Sequence, residues 1–269
     1  MFNIINLINV FLDKFTLLRY RKKFKNYQSA KEFCETHTKS SYNNEELNKF
    51  RLDKFKDNQK LIPYTFNNSL FTLLESVSIF ILRHQRLPKI LDFGGMFAEN
   101  KLYLEKLFNL NIIYDVVETK NICELAKSLN HATFYDDIDK AFSSVNEKYD
   151  LIFSSGTLQY FENPYEIVKK IFSKQVSYIV FTRTNLSDDE GIYSAVSFLY
   201  GHGSSEGHIK YKVKNNKKIV IVPNTQMKEK KILDIAFNND YRLLRSFNGL
   251  TGNHGENSYT KDLIFNLKN

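Results

Sequence analysis

The sequence predicts an α/β fold: a doubly wound, mostly parallel, seven-stranded sheet with an N-terminal helical extension. The first observation is a short apolar run that ends in Asp92-Phe93-Gly94-Gly95 and is followed by an amphipathic helical pattern. The second is that strand-like and helical patterns then alternate along the chain, which is typical of a parallel sheet. In such a sheet the ligand binds at the carboxyl ends of the strands.

Length and composition indicate how the chain is divided. With 269 residues, of which 42% are hydrophobic, the chain can bury one substantial core, and we expect one α/β domain with an extension. We place the helical extension at residues 1–68. The domain then covers residues 69–269, with a lid or hairpin insertion at about 185–223.

Charge and cysteine content exclude several classes of protein. The net charge of +8 favours an anionic substrate or an anionic membrane, but no long lysine run, helix-turn-helix, zinc-finger or RNP pattern indicates nucleic acid. Cys34 and Cys123 lie far apart without CxxC partners, so we expect two reduced thiols in a cytoplasmic protein. The six histidines lack metal-ligand spacing, and we expect no metal.

The first 18 residues form an amphipathic pattern, and residues 19–25 add a basic cluster. The apolar run is interrupted and too short to span a bilayer. Two interpretations stay open. Residues 1–25 make peripheral contact with the inner face of an anionic membrane, or the helix packs on its own domain or on the partner in a homodimer.

Residues 26–60 are polar, charged and helix-prone, and Pro63 ends this stretch. A further apolar helical pattern from Ser69 to Arg83 is expected to pack against the sheet just before the first strand, and Pro88 ends that connection. These helices lead directly to the glycine turn.

The turn after the first strand carries the strongest signal for a ligand. Gly94 and Gly95 can take positive φ and let a ligand lie against the backbone, although glycines also serve simple packing. The helix that follows attracts an anion with its N-terminal amides. Glu118 ends the next apolar run, about 20 residues beyond the turn, where an acid can accept both ribose hydroxyls of a nucleoside.

Two acids close the third predicted strand, residues 132–135. Either Asp136 or Asp137 can accept the exocyclic amine of an adenine, which would otherwise stay unpaired in a closed pocket. Either can instead cap the following helix. Both roles can hold, with one acid for each.

The fourth predicted strand, residues 149–153, leads into Ser154-Ser155-Gly156-Thr157-Leu158-Gln159-Tyr160, and Pro164 begins the next helix. A fifth strand covers residues 177–181. Beyond it, we expect a loop over the acceptor at residues 201–208, a hairpin from His208 to Val222 and a helix from Met227 to Phe237. The last two strands, at residues 241–247 and 262–267, are expected to lie antiparallel at the sheet edge.

These segments resemble the class I S-adenosylmethionine-dependent methyltransferases, and more narrowly a bacterial group often encoded among surface-polysaccharide genes. The resemblance covers roughly residues 88–185 well, and the Ser-Ser-Gly-x-Leu-Gln-Tyr segment is its most specific part. The residues that carry it are Leu91–Gly95, Val116–Glu118, Phe134–Ile138, Ser154–Tyr160 and Phe181–Thr184.

The resemblance implies S-adenosyl-L-methionine as the cofactor of a Rossmann-like methyltransferase. It places Asp92, Gly94 and Gly95 under the methionine moiety and Glu118 at the ribose. Asp136 or Asp137 would face the adenine. Ser154, Ser155 and Gln159 would line the pocket beside the sulfonium. One departure is Ala98, where the narrower group usually has a third glycine.

The activity that this resemblance implies is methyl transfer to a small or carbohydrate-linked acceptor, as O-methylation in capsule or lipopolysaccharide biosynthesis. The acceptor would be a nucleotide-linked sugar or a phosphate. The sulfonium methyl is already activated, so the protein has to hold the acceptor in line and keep water out. Such positioning can contribute about 7 to 11 kcal/mol. A base is needed only for a poorly acidic hydroxyl, and His202 and His208 are the candidates. Arg183 would bind an anionic acceptor or pair with a carboxylate.

Two alternatives remain. A nicotinamide-dependent dehydrogenase on the same sheet is disfavoured, because the residues after Gly94 read Gly95, Met96, Phe97 and Ala98 in place of Gly-x-Gly-x-x-Gly. The other alternative is a cofactor-fold protein without catalysis that acts as a binding or membrane-tethering partner through its N-terminal helix.

Overall fold

The computed structural model describes residues 20–38, 45–60, 68–144, 148–198, 219–249 and 258–268. Three expectations lie outside these ranges: the amphipathic N-terminal helix, the loop with His202 and His208, and the strand-like segment at residues 209–213. They stay predictions.

Helices and strands alternate along most of the described chain. The helices are α1 (Tyr27–Thr38), α2 (Glu45–Asn58), α3 (Asn68–His84), α4 (Glu99–Phe108), α5 (Lys120–Ala126), α6 (Ile138–Ser144), α7 (Pro164–Phe172) and α8 (Glu229–Asn238), with a 3₁₀ helix at Leu158–Tyr160. None of these helices is both long and apolar enough to cross a bilayer. The strands are β1 (Lys23–Phe24), β2 (Ile90–Phe93), β3 (Tyr114–Val117), β4 (Thr133–Tyr135), β5 (Leu151–Ser155), β6 (Tyr178–Ser187), β7 (Gly191–Phe198), β8 (Ile219–Gln226), β9 (Tyr241–Asn248) and β10 (Ser258–Leu267).

Within the described residues, seven strands form the main sheet in the order β4-β3-β2-β5-β6-β10-β9. The five strands from β4 to β6 pair in parallel, and β10 runs antiparallel to both β6 and β9. The chain leaves β2 for β3 on one side and later returns to β5 on the other. This reversal is a topological switch point, where α/β sheets bind ligands at their carboxyl ends. The predicted fold class is confirmed.

The sheet lies between two helical layers. On one face, α6, α7 and α8 bury an apolar cluster in which the Phe172 ring contacts the rings of Phe181, Tyr241 and Phe265. On the other face, α3 and α4 cover the sheet with residues that include Phe80. All four residues of β2 are buried, as expected for a parallel strand covered on both sides. The glycine turn therefore starts from a rigid base.

The last two strands pair antiparallel at one edge of the sheet, as predicted. Strand β10 is inserted between β6 and β9, so it alone runs against the other main-sheet strands in the described chain. Among the described residues β8 pairs with β7, with Asn224 opposite Tyr193, and the predicted pairing with residues 209–213 lies outside them. The sequence analysis missed β7 because no short turn links it to β8.

The N-terminal extension packs on the α/β domain. Helix α1 lies on the small sheet β1-β7-β8, where Cys34 and Ile221 share an apolar cluster. The Tyr27 hydroxyl of α1 donates a hydrogen bond of 2.8 Å to the carbonyl of Tyr160. Helix α2 packs with Phe55 against Phe97, just after the glycine turn. The boundary between residues 68 and 69 stays a prediction.

Candidate functional site

The turn after β2 approaches the segment after β5 so closely that only glycine fits. Gly94 has φ of 81°, and its amide donates to the carbonyl of Val117 at 2.8 Å. A Cβ atom on Gly94 would lie 2.2 Å from Oγ1 of Thr157. Met96 and Ala98 also have positive φ, 50° and 58°. Since such values are uncommon for residues with a side chain, the turn holds its backbone in a strained shape.

Asp92 lies beneath this turn. Its side chain is 1% exposed and folds back under Gly95, whose Cβ atom, if present, would lie 2.4 Å from Cγ of Asp92. The Tyr114 hydroxyl of the adjacent strand donates to Oδ2 of Asp92, and Asn100 donates to the same oxygen at 3.4 Å. Burial raises the pKa of Asp92 to about 7, although the hydrogen bond from Tyr114 opposes the rise. Asp92 therefore supports the turn from below.

Glu118 faces the turn from the end of β3. Oε1 accepts a hydrogen bond from the Met96 amide at 3.3 Å, and Oε2 accepts one from the Thr119 amide at 2.8 Å. Burial raises the pKa of this carboxyl, and the hydrogen bonds from Thr119 and Met96 and the charge of Arg51 oppose the rise. The structure thus brings Glu118 together with the glycine turn.

A cavity of about 300 Å³ lies at the switch point. Its lining combines apolar side chains with acids, backbone of the glycine turn and one lysine. The lining residues are Phe93, Gly94, Val117, Glu118, Thr119, Asp136, Asp137, Ile138, Thr157, Tyr160, Phe161, Ile167, Lys170 and Ile171. This size and this mixture are those of a pocket for a small organic ligand.

A second depression, of about 820 Å³, runs along the edge strand β4. It is larger, but it is a wide groove, and of the predicted site residues only Asp136 lines it. The smaller cavity lies where the fold concentrates its functional groups, so we take it as the candidate site. Among the described residues, no group of three His, Cys, Asp or Glu side chains could hold a metal ion.

Asp136 and Asp137 both line the smaller cavity, and their roles differ. Oδ1 of Asp137 accepts hydrogen bonds from the amides of Asp139, at 2.7 Å, and Lys140, at 3.3 Å, so Asp137 caps α6. Asp136 forms an ion pair of 2.7 Å with Lys140 on the surface. Because Asp137 is occupied by the helix, Asp136 is the acid that can turn to a ligand.

The serines after β5 bind protein groups. Ser154 donates a hydrogen bond of 2.9 Å from Oγ to the carbonyl of Phe93 and ties β5 to β2. Ser155 accepts a hydrogen bond of 3.0 Å from Nε of Arg183. Neither serine lines the cavity. Gln159 is 6% exposed, and its Oε1 has no hydrogen-bond partner.

Arg183 sits at a kink in β6, where its φ is 51°. Its amide donates to Oδ1 of Asp262 at 2.8 Å, and the other oxygen of Asp262 accepts from the Thr72 hydroxyl at 2.7 Å. The guanidinium bonds to Ser155 and lies against Gly156. Of the two interpretations of Arg183, pairing with a carboxylate is not seen among the described residues, and the role with an acceptor stays a prediction.

Buried polar atoms without partners cluster beyond the end of β5. They belong to β6, β8 and the 3₁₀ helix, which pack against one another. All are uncharged hydroxyl or carboxamide groups: Gln159 Oε1, Thr182 Oγ1, Thr184 Oγ1, Asn185 Oδ1, Gln226 Oε1 and Gln226 Nε2. Unpaired buried polar groups cost free energy, and none of these residues lines either of the two cavities.

The sequence analysis missed several residues of the site. Tyr114 reads as an ordinary strand residue, and Thr157 as part of a loop. Arg51 and Asn48 of α2 are buried, at 5% and 0% exposed, yet they lie in a charged stretch that reads as a solvated helix. The signal that could have identified them is that Asn48 and Arg51 are polar residues on the apolar face of α2, beside Leu47 and Leu52.

No protein-family profile and no curated protein matches the chain. Solved structures do match the chain. A S-adenosylmethionine-dependent methyltransferase from Clostridium acetobutylicum ATCC 824 is 13% identical, over 81% of this chain and 99% of that chain, with a TM-score of 0.46. The magnesium protoporphyrin IX methyltransferase from Synechocystis PCC 6803 with bound SAM is 11% identical, over 74% and 79%, with a TM-score of 0.44.

The glycopeptide N-methyltransferase MtfA complexed with sinefungin is 6% identical, over 72% of this chain and 86% of that chain, with a TM-score of 0.45. Likenesses of this size do not identify a ligand. The ligand of this chain has to be argued from its own residues.

The raised pKa of Asp92 predicts how stability depends on pH. The pKa of Asp92 is about 3.8 in the unfolded chain and about 7 in the folded protein, so at pH values between them the folded protein binds the proton more strongly. The free energy of unfolding therefore falls as pH rises through that range. Each unit of pKa difference is worth about 1.4 kcal/mol. Asp92→Asn removes the titration, and we expect a flatter dependence of the urea midpoint between pH 4 and 7. The exposed control Asp139→Asn should keep the wild-type decline; equal slopes in wild type and Asp92→Asn would contradict the assignment.

Proposed function

We propose that the protein transfers a methyl group from S-adenosyl-L-methionine to a hydroxyl of a small or carbohydrate-linked acceptor. The observation that carries the proposal is that Glu118 and Gly94 line the same cavity at the switch point. A carboxylate at the tip of β3 and a bare backbone at the tip of β2 provide an acceptor for ribose hydroxyls and room for the nucleoside.

The cavity fits an adenosine in three respects. Gly94 carries no side chain and lines the cavity, so a ligand can lie against its backbone. Oγ1 of Thr119, which lines the cavity, is buried without a hydrogen-bond partner and can bond to a ligand. Ile138 and Phe161 offer apolar surface for the base, and Asp136 an acceptor for its exocyclic amine.

The cofactor supplies an activated methyl on a sulfonium, so the protein has to align the acceptor and exclude water. The backbone of the glycine turn and the segment after β5 would hold the cofactor's reactive end, while Arg183 and Gln159 would face the acceptor. A base, for an acceptor hydroxyl that needs one, would be His202 or His208.

The uncharged cluster beyond β5 supports a hydroxylated acceptor. Carboxamides such as Gln159, Asn185 and Gln226 both donate and accept hydrogen bonds and match sugar hydroxyls. The guanidinium of Arg183 would suit the phosphate of a nucleotide-linked sugar. The setting in capsule or lipopolysaccharide biosynthesis rests on the sequence resemblance. The cytoplasmic location rests on the two cysteines without CxxC partners, and the membrane contact of residues 1–25 on their amphipathic pattern and basic cluster.

Calorimetric titration tests the cofactor. Wild-type protein should bind S-adenosylmethionine and its demethylated product, S-adenosylhomocysteine. Glu118→Ala should weaken both at least about tenfold, because hydrogen bonds to a charged group contribute roughly 1.5 to 3 kcal/mol each. The matched control is Glu124→Ala, an exposed glutamate that pairs with Lys127, and its affinity should equal that of wild type. Wild type that binds neither compound would refute the proposal, and an unchanged Glu118→Ala would remove Glu118 from the ribose site.

Mass spectrometry of the native surface glycan tests the acceptor. Cells that lack the gene should produce a glycan with one methyl group fewer per modified sugar, and a plasmid copy of the wild-type gene should restore it. A Glu118→Ala copy should restore less. Identical methylation with and without the gene would show that the acceptor is not this glycan.

A further inference from the structure

One face of α2 passes over the candidate site. Leu47, near its start, shares an apolar cluster with Tyr160 of the 3₁₀ helix. Phe55, two turns later, packs against Phe97 at a ring distance of 5.9 Å. Arg51 lies between them on the same face, because residues four apart share a helix face. Its Nη1 is 3.9 Å from Sδ of Met96, in the glycine turn.

Two polar side chains interrupt this otherwise apolar face. Asn48 is fully buried, and its Nδ2 has no hydrogen-bond partner. Arg51 is 5% exposed, and its Nη1 donates to Oδ1 of Asn48 at 3.2 Å. Burying a charge and leaving an amide unpaired both cost free energy. Leucine at these positions would pack without that cost, so the pair is expected to serve a ligand.

The chemistry of the pair selects an anion. A guanidinium only donates hydrogen bonds, and Nδ2 of Asn48 adds a further donor, since its Oδ1 is taken by Arg51. A planar fork of donors matches a carboxylate. Arg51 also acts on two neighbouring carboxyls: burial raises the pKa of Glu118 and of Glu99, and the charge of Arg51 is among the causes that oppose both rises.

Met96 connects the pair to the adenosine cavity. Its amide donates to Glu118, and its sulfur lies next to Arg51. The resemblance places the methionine moiety over Asp92, Gly94 and Gly95, so a cofactor with its ribose at Glu118 would extend its amino-acid end along the glycine turn. That end carries one carboxylate, and the donors of α2 lie over the turn.

We propose that Arg51 and Asn48 bind the carboxylate of the cofactor's methionine moiety, so that helix α2 of the extension completes a site built mainly by the α/β domain. The inference rests on the proposed function. Under this inference Arg51, which lies far upstream of the glycine turn in the sequence, recognises the amino-acid end of the cofactor, while Glu118 recognises the ribose.

The test compares two compounds that share the adenosine and the sulfur. S-adenosylhomocysteine carries the amino-acid carboxylate, and 5′-methylthioadenosine lacks the whole amino-acid group. By calorimetry, Arg51→Met should weaken binding of S-adenosylhomocysteine roughly 10- to 100-fold and leave that of 5′-methylthioadenosine within about twofold, since an ionic hydrogen bond contributes about 1.5 to 3 kcal/mol. Lys49→Met, an exposed lysine on the same helix, is the matched control and should change neither affinity.

A second variant guards against a folding defect. Asn48→Leu fills the same space without polar atoms, and it should weaken S-adenosylhomocysteine several-fold with 5′-methylthioadenosine unchanged. Equal losses for both compounds in the two variants would show that the pair only supports the turn and would overturn the inference, as would full affinity for S-adenosylhomocysteine. Wild type that binds neither compound would instead refute the proposed function, which keeps the two failures distinct.

Discussion

The site depends on a backbone turn that cannot relax without losing its contacts. Gly94, at φ of 81°, brings the end of β2 against Thr157, so close that a single added carbon would overlap its side chain. Asp92 lies beneath this bend and accepts a hydrogen bond from the Tyr114 hydroxyl. Glu118 lies beside the bend and accepts a hydrogen bond from the Met96 amide. The strained conformation persists because three neighbouring strands fix it, which is the usual way that folds keep such strain.

Buried charge is concentrated around the same turn. Asp92, Glu118 and Arg51 are each less than a tenth exposed, although burying ionisable groups is costly. Within the fold the cost is reduced by hydrogen bonds from backbone amides and from Tyr114. Under the two proposals above, the ribose hydroxyls and the carboxylate of a ligand would add further partners.

The fold followed from sequence because its signals are local. The apolar run before Gly94 and the spacing to Glu118 both lie within one strand-helix-strand unit, so periodicity and the glycine pair located both residues. Of the two roles predicted for Asp136 and Asp137, the helix cap is seen at Asp137, and the role at an adenine stays a prediction. The alternation of elements also predicted a mostly parallel seven-stranded sheet, but it did not give the order of the strands.

What the sequence did not reveal depends on contacts between distant segments. Arg51 approaches Met96 only because α2 folds back over the turn, and no short-range pattern records that approach. Strands β7 and β8 pair although a long segment separates them in the sequence, so no short turn signal predicted β7. Arg183 has a positive φ, which is uncommon for a residue with a side chain, and its amide donates a hydrogen bond to Asp262 of β10. Because Asp262 lies 79 residues later in the sequence, no local pattern predicts this contact.

The most direct test of the account is a crystal structure of the full chain with S-adenosylhomocysteine. The account predicts that the adenosine occupies the cavity between Gly94 and Glu118, with a ribose hydroxyl within hydrogen-bond distance of the Glu118 carboxylate. Density for the nucleoside in the groove along β4, or at any place that leaves Glu118 bonded only to Met96 and Thr119, would contradict it.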